Sequence, residues 1–500
     1  MKSKNTIGLI LGILFFIIIL FLGNIEPNNP KISITLAITV LMATWWITEA
    51  IPLAVTALLP LVLFPIFGIT NGKEVSSSYV NDVIFLFMGG FMIALTMQKW
   101  NLHRRIALKI MMFTGVSPSK VIAGFMLATA FLSMWISNTA TAMMMLPIAI
   151  SILGEFENIF NEKDLKRYSI ALLLSIAYSA SIGGIATLVG TPPNLVFTKI
   201  MNISFPNAPE IGFGQWMFFA FPLSIFMLIS LWLLMYLFLF RNIRPTNVIS
   251  SNIFKTQHSQ LGKYSFEEKI VTIGFVLFAL LLLFRVDIKI SSFIIPGWSN
   301  LLPNPKFIND GTIAIAISIL FFIIPAKENK KTNILDWKTA NKLPWHIIIL
   351  FGGGFALAKG FVSSGLSLWI GELIENSVFE NPFFNILLIT SVMIFLTEVT
   401  SNTATTQILL PILAGLAIST KTNPLIYMVP ATIAASMAFM LPVATPPNAI
   451  VFGSGKIKIS EMARMGLILN IIAIILVSIF VYYLGFNIFN INNELPIWAK

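Results

Sequence analysis

Two copies of one polar pentapeptide interrupt an otherwise apolar chain: Ser137-Asn138-Thr139-Ala140-Thr141 and Ser401-Asn402-Thr403-Ala404-Thr405. Their hydroxyl and amide oxygens can ligate a hard cation, and their amide and hydroxyl donors can hold an anion. Neither copy carries a fixed charge, so one tripeptide can serve both ligands. Each is followed by a second duplicated signature, Gly190-Thr191-Pro192-Pro193-Asn194 and Ala444-Thr445-Pro446-Pro447-Asn448. Paired prolines remove two amide donors and disfavour helix in the residue before them, so a helix passing through either must unwind. The freed carbonyls at Gly190 and Ala444 suit sodium, and the N-terminus of a half-helix returning from each Ser-Asn-Thr suits a carboxylate. A single Ser-Asn-Thr would read as ordinary helix packing, and a single Pro-Pro as a kink. Two of each, in register, do not.

The register is that of an internal repeat. Gly89-Gly90-Phe91 recurs at Gly353-Gly354-Phe355, 264 residues on; Ser137 recurs at Ser401 and Leu146-Pro147-Ile148 at Leu410-Pro411-Ile412 with the same offset. Thr191 recurs at Thr445 with an offset of 254, so the second copy is ten residues shorter between its motifs. The elements that carry these motifs must span a bilayer. Of 500 residues 57% are hydrophobic and 11% charged, with a mean hydropathy of +0.87, against about a quarter charged in soluble domains. Apolar runs of spanning length recur throughout, as at 7–22, 216–240 and 465–484. The first follows a basic Met1 to Asn5 and leads into Gly23-Asn24-Ile25-Glu26-Pro27, which offers no cleavage site, so it reads as a retained helix. The absence of cysteine excludes a disulfide framework, a thiolate metal site and a thiol nucleophile. The net charge of +11 is spread over short loops, where it sets topology and builds no nucleic-acid patch.

Starting from a cytoplasmic N-terminus, the runs give about eleven spans plus two re-entrant hairpins, an all-α polytopic membrane protein. Arg241, Arg244, Lys255, Lys263 and Lys269 mark one cytoplasmic loop; Lys327, Lys330, Lys331, Lys338 and Lys342 mark another. The segment between, with Arg285, Lys289 and Lys306 offset by Asp287 and Asp310, faces outside. The expected division is an N-terminal helix and outside loop over 1–31, then a first repeat over 32–240 with a hairpin at about 118–155 and a broken helix at about 168–200. A cytoplasmic linker over 241–268 leads to a second repeat over 269–488, with a hairpin at about 381–420 and a broken helix at about 425–453, and an external tail over 489–500. The helix with Gly89 then runs inward and that with Gly353 outward. Such inverted repeats place binding sites at their interface near the midplane.

The two Ser-Asn-Thr tips and the two Thr-Pro-Pro signatures together resemble the divalent-anion:sodium symporters, the sodium-dicarboxylate and citrate carriers, from about Trp45 to Phe486. The resemblance implies a homodimer whose scaffold holds mobile transport domains that move elevator-fashion. It implies a first sodium site at Ser133, Ser137, Asn138 and Gly190, and a second at Thr397, Ser401, Asn402 and Ala444. Substrate carboxylates would meet Asn138, Thr139, Asn402 and Thr403, bounded by Thr445 and Pro446, with Thr191 and Pro192 as symmetry equivalents. The copies differ at Ser133 against Thr397 and Gly190 against Ala444, so equal sodium affinities do not follow from the repeat, although backbone carbonyls survive such exchanges. The implied function is sodium-coupled symport of C4-dicarboxylates such as succinate, malate and fumarate across the bacterial cytoplasmic (inner) membrane. Sodium is then co-transported cargo, with no organic cofactor. A dicarboxylate exchanger, or a citrate or sulfate carrier, on the same fold is the alternative.

The remaining polar residues weigh less. His103 beside Arg104 and Arg105, His258 in a loop and His346 at a span entrance show no metal-ligand spacing. Glu49 and Glu398 are the acids nearest membrane depth. Glu398, three residues before Ser401, reads as hydrogen-bonding support for the tip in preference to a proton site, because a carboxylate beside a dianion repels it. Trp45, Trp46, Trp100 and Trp345 mark membrane interfaces. A membrane enzyme would need a His-Glu-x-x-His or paired intramembrane aspartates, and neither is present. Prolines that break paired helices around an enclosed site fit alternating access better than a passive pore.

Overall fold

The computed structural model describes residues 2–22, 25–157, 159–243, 253–290, 293–328 and 332–500. Gly23 and Asn24 of the first loop, and Arg244, Lys330 and Lys331 of the basic loops, lie outside the described residues. The chain begins with α1 (Lys2–Leu22) packed on α2 (Pro30–Thr48), then α3 (Leu53–Thr56), α4 (Leu59–Ile66), α5 (Gly72–Ser77) and α6 (Asp82–Lys99). A short helix α7 (Leu102–Thr114) leads into α8 (Pro118–Ser133) and α9 (Asn138–Phe156), followed by α10 (Glu162–Gly184), α11 (Pro192–Ser204) and α12 (Phe213–Met235). The connecting segment holds α13 (Ile253–Ser259). Beyond it come α14 (Phe266–Leu283), α15 (Asp310–Ile323), α16 (Trp337–Ala340) and α17 (Trp345–Ser364). The last stretch is α18 (Leu366–Ile374), α19 (Pro382–Thr397), α20 (Asn402–Ser419), α21 (Leu425–Ala434), α22 (Pro446–Phe452) and α23 (Ile459–Phe480).

Proline writes many of these boundaries. Pro30, Pro118, Pro192, Pro382 and Pro446 each occupy the first helical position, where the missing N–H has no intrahelical partner to lose. Asn81, Asn161 and Asn309 cap α6, α10 and α15 through their side-chain oxygens, and Ser265 with Glu268 forms a capping box on α14. Among the described residues, seven helices are long and apolar enough to cross a membrane by themselves. The other expected spans are made of shorter or interrupted helices, and α18 with its final turn meets α19 at a bend of 115°. Among the described residues, the only paired strands form a small antiparallel hairpin, Ile288–Ile290 with Phe293–Ile295, in the segment read as external.

The two halves follow one plan. α7, α8 and α9 correspond to α18, α19 and α20 at an offset of 264, and α11 corresponds to α22 at 254, as Pro118 against Pro382 and Pro192 against Pro446 show. A smaller apolar core joins α2, α4 and α17 through Met42, Phe64 and Phe361, while the larger one runs through the hairpins and broken helices.

A buried ion pair ties α7 to α14. Arg105 Nε donates to Glu268 Oε1 at 2.7 Å and Nη2 to Oε2 at 3.0 Å, while the remaining guanidinium hydrogens reach the carbonyls of Leu261 and Gly262 at 3.1 Å. Both side chains are almost fully buried. Removing one partner strands a charge, at a cost of about 3–5 kcal/mol, whereas removing both does not. Glu268→Leu should therefore lower the melting temperature of the detergent-solubilised protein, and adding Arg105→Met should restore most of it. Equal melting of the Glu268→Leu variant and the wild type would show that the pair carries no stability.

Candidate functional site

Each returning hairpin helix begins at the asparagine of its Ser-Asn-Thr. α8 ends at Ser133 and α9 starts at Asn138; α19 ends at Thr397 and α20 starts at Asn402. Ser137 Oγ accepts the Ala140 N–H at 3.3 Å and so caps α9, whereas Ser401 makes no such bond to α20. The unwound segments lie between α10 and α11, and between α21 and α22. Asn194 Nδ2 donates to the carbonyls of Ile185 at 3.2 Å and Thr187 at 2.8 Å. Asn448 Nδ2 donates to those of Ala438 at 3.2 Å and Leu441 at 3.0 Å. The last residue of each Pro-Pro signature thus ties down the break it follows. Packing then crosses between the halves: α22 lies on α9, and α11 lies on α20. Thr191 Oγ1 stands 3.2 Å from Ser436 Oγ, joining the first break to the second.

Around the first tip, oxygens converge. Ser133 Oγ lies 2.5 Å from the Asn138 side-chain amide and 2.7 Å from the Ala180 carbonyl. A Cβ on Gly184 would stand 2.6 Å from Asn138 Oδ1 and 3.1 Å from the Gly190 carbonyl oxygen; one on Gly190 would stand 3.0 Å from that of Ser133. Ser133, Asn138 and Gly190 therefore converge as expected, with Ser137 beside them as the cap. Ala180 and Gly184 join them although sequence reasoning missed both; the small residues Ser179, Ala180, Ser181, Gly183 and Gly184, interrupted only by Ile182, were the available signal. Thr187 also went unread: its Oγ1 donates to the Met134 carbonyl at 2.6 Å and accepts the Gly190 N–H at 3.1 Å. Thr139 is half-buried in the first turn of α9, Thr191 is buried and Pro192 half-buried.

The second tip is built differently. Thr397 Oγ1 donates to the Ile394 carbonyl at 3.0 Å, and among the described residues Thr397, Ser401, Asn402 and Ala444 share no hydrogen bond with one another. Among the described residues, Asn402 Oδ1 is buried without a hydrogen-bond partner. Thr403, Ala444 and Thr445 are buried, and Pro446 is exposed. Thr445 Oγ1 accepts the Asn448 N–H at 3.4 Å. Glu398 supplies the support here. Its Oε1 accepts from the backbone N–H of Phe439 at 2.7 Å and Met440 at 2.9 Å, its Oε2 from Leu441 at 3.1 Å. Asn470 Nδ2 adds a further donor at 2.7 Å. Met134 is the equivalent of Glu398 and Thr187 that of Leu441. In the first half the loop side chain reaches to the hairpin; in the second the hairpin side chain reaches to the loop.

The flanking helices are also asymmetric. α18 packs directly on α20: a Cβ on Gly415 would stand 1.8 Å from the Ser367 carbonyl oxygen, and one on Gly371 would stand 2.5 Å from the Gly415 carbonyl carbon. Their equivalents, His103, Ala107 and Ser151, line a cavity of about 690 Å³ between α7 and α9.

Two solved structures share the fold across nearly the whole chain. MtrF of Neisseria gonorrhoeae, described with a class of antimetabolite efflux pumps, has a TM-score of 0.55 at 16% identity and covers 94% of this chain and 98% of its own. The YdaH transporter of Alcanivorax borkumensis has a TM-score of 0.56 at 11% identity and covers 90% and 98%. Among relatives by sequence, the sodium-dependent dicarboxylate transporter SdcS of Staphylococcus saprophyticus is 43% identical, covering 100% of this chain and 95% of the relative. That of Staphylococcus aureus is 44% identical over the same shares. The duplicated tips, the two broken helices and these relatives agree with a match over residues 3–489 to the sodium:sulfate symporter transmembrane region, and the chain belongs to that family.

Proposed function

We propose that this multi-pass membrane protein carries C4-dicarboxylates across the cytoplasmic membrane by sodium-coupled symport. The observation that carries the reading is the convergence of oxygen ligands from Ser133, Asn138, Ala180, Gly184 and Gly190 at the first tip, with a second tip of the same sequence whose Asn402 Oδ1 has no partner among the described residues. Hydroxyl, amide and carbonyl oxygens brought together in this way are the ligands that a small hard cation takes. The first sodium ion would sit among Ser133, Ser137, Asn138 and Gly190, and the second among Thr397, Ser401, Asn402 and Ala444. Between them the N-termini of α9 and α20 offer amide donors to a dianion, with Thr139 and Thr403 beside them and Thr191, Pro192, Thr445 and Pro446 as its bounds. The relatives named as sodium-dependent dicarboxylate transporters support this substrate and this coupling ion.

Alternating access follows from the asymmetry of the two halves. With the N-terminus in the cytoplasm and the C-terminus outside, α18 closed on α20 seals the outer side, and the cavity between α7 and α9 opens the inner one. Exchanging the two arrangements gives the outward-facing state, with the hairpins and broken helices sliding as one body against the rest. Such a carrier works as an elevator, here within a homodimer.

Three outcomes test the proposal. In proteoliposomes with an inward sodium gradient, radiolabelled succinate should accumulate, fail to do so with choline in place of sodium, and be lost in Asn138→Ala and Asn402→Ala. Uptake that ignores sodium but requires internal dicarboxylate would make the protein an exchanger. Moving a dianion into a negative interior costs about 2.3 kcal/mol per charge per 100 mV, which two sodium ions only cancel. More than two should therefore move with each dicarboxylate, and an inside-negative potential should speed uptake; equal rates at zero and negative potential would refute that stoichiometry. Glu398→Gln places an amide hydrogen against the backbone donors of 439–441 and should raise the half-saturating sodium concentration about tenfold or more, as a lost charge-assisted bond of about 1.5–3 kcal/mol requires. An unchanged sodium titration would show that Glu398 does not position the second tip.

A further inference from the structure

Lys359 belongs to no motif and has no equivalent, since the position 264 residues earlier is Leu95. It lies in α17, an apolar helix of spanning length, where an ammonium group is costly and marks function unless it is paired or reaches water. Among the described residues it has no carboxylate partner. Instead it lines a cavity of about 420 Å³ together with Lys199 of α11, the hydroxyls of Ser77, Ser78 and Ser363, and the amide of Asn202. Among the described residues, no acidic side chain lines this cavity. Lys199 is held in place by Asp82, its Nζ 2.7 Å from Oδ1, which cancels one of the two positive charges and leaves the other unmatched.

The placement gives the charge a use. α17 touches the second hairpin at Gly354, where an added Cβ would meet Gln407 of α20 at 2.0 Å. Lys359 lies five residues beyond Gly354, about 7.5 Å along the helix, toward the end where α11 and α17 both finish. In the topology read from the basic loops that end is external. A walled, positively charged recess bordered by hydroxyls and an amide concentrates anions on the outer side of a transporter whose tips carry no charge.

We propose that this cavity is an external anion-collecting site, in which Lys359 captures the dicarboxylate before it reaches the Ser-Asn-Thr tips. The inference rests on the transport reading above and adds a second, weaker subsite to it. Lys359 attracts the dianion and Lys199, already paired, shapes the wall. Net positive charge here raises the local concentration of substrate and leaves the turnover of a loaded carrier unchanged.

The test measures initial sodium-driven succinate uptake in right-side-out and inside-out membrane vesicles, at fixed sodium, with ionic strength raised by choline chloride. At low ionic strength Lys359→Gln should raise the half-saturating succinate concentration about 3- to 10-fold in right-side-out vesicles only, at unchanged maximal rate. Lys359→Arg should match the wild type, and at high ionic strength all three should converge as the charge is screened. Equal half-saturation at low ionic strength, or an equal rise on both faces, overturns the inference while leaving the transport reading intact. Should Lys359→Gln show no uptake at saturating succinate, the wild type decides: half-saturation rising with ionic strength on the outer face alone supports the site, and a flat dependence overturns it. Wild-type vesicles that take up no succinate on a sodium gradient overturn the transport reading, and the inference falls with it.

Discussion

Backbone polar groups at membrane depth have no water to fall back on, and each one left unpaired costs several kcal/mol. Two broken helices and two hairpin tips expose many such groups at once, so the protein must satisfy them from within. The side chains that do so are few. Asn194 and Asn448 each reach back to two carbonyls of the segment before them. Trp216 Nε1 donates to the Ile185 carbonyl at 3.0 Å, Thr187 bridges Met134 and Gly190, and Glu398 gathers the amides of 439–441. What they leave unsatisfied at the tips includes Asn402 Oδ1, buried with no partner among the described residues, and on the transport reading proposed above a cation completes it.

The same accounting explains why two halves built from one sequence plan do not behave alike. In the first half a threonine on the loop and a glycine-lined wall hold the break with neutral groups. In the second, alanine stands for glycine at 444, leucine for threonine at 187's equivalent, and a carboxylate takes over the amides that remain. A carboxylate so near a dianion site would repel the substrate in water-like surroundings, yet here both of its oxygens are engaged by donors and its field is directed into the backbone. Hydrogen-bonding support, the reading of Glu398 that the sequence favoured, is the role its geometry describes.

Much of this was legible because it was written twice. Gly89 against Gly353, Ser137 against Ser401 and Thr191 against Thr445 fix the order of hairpin and broken helix, and Pro118, Pro192, Pro382 and Pro446 start the helices where the sequence says they must. What escaped were contacts made by residues with no pattern of their own. Gly184 and Ala180 look like any small residues in a membrane helix, and the closeness of Gly184 to Asn138 and of Ala180 to Ser133 depends on how α10 crosses the hairpin. Gly371 and Gly415 gave no hint that they touch, because their equivalents Ala107 and Ser151 face each other across a cavity. A state of the molecule is a property of packing, and a repeated sequence cannot say which half is closed.

Identical motifs therefore set a chemistry, and the differences between the halves set a direction. The Ser-Asn-Thr tips carry no cationic side chain, and the carboxylate beside the second of them, Glu398, is engaged by backbone donors. The charge that attracts a dianion must then come from outside the tips. Lys359, on α17 and outside both repeats' motifs, is in such a place, and its lack of a counterpart at Leu95 gives the two faces of the membrane different electrostatics. On the proposal above, Lys359 speeds loading of the dianion from one face, while the direction of net transport stays with the sodium gradient and the membrane potential.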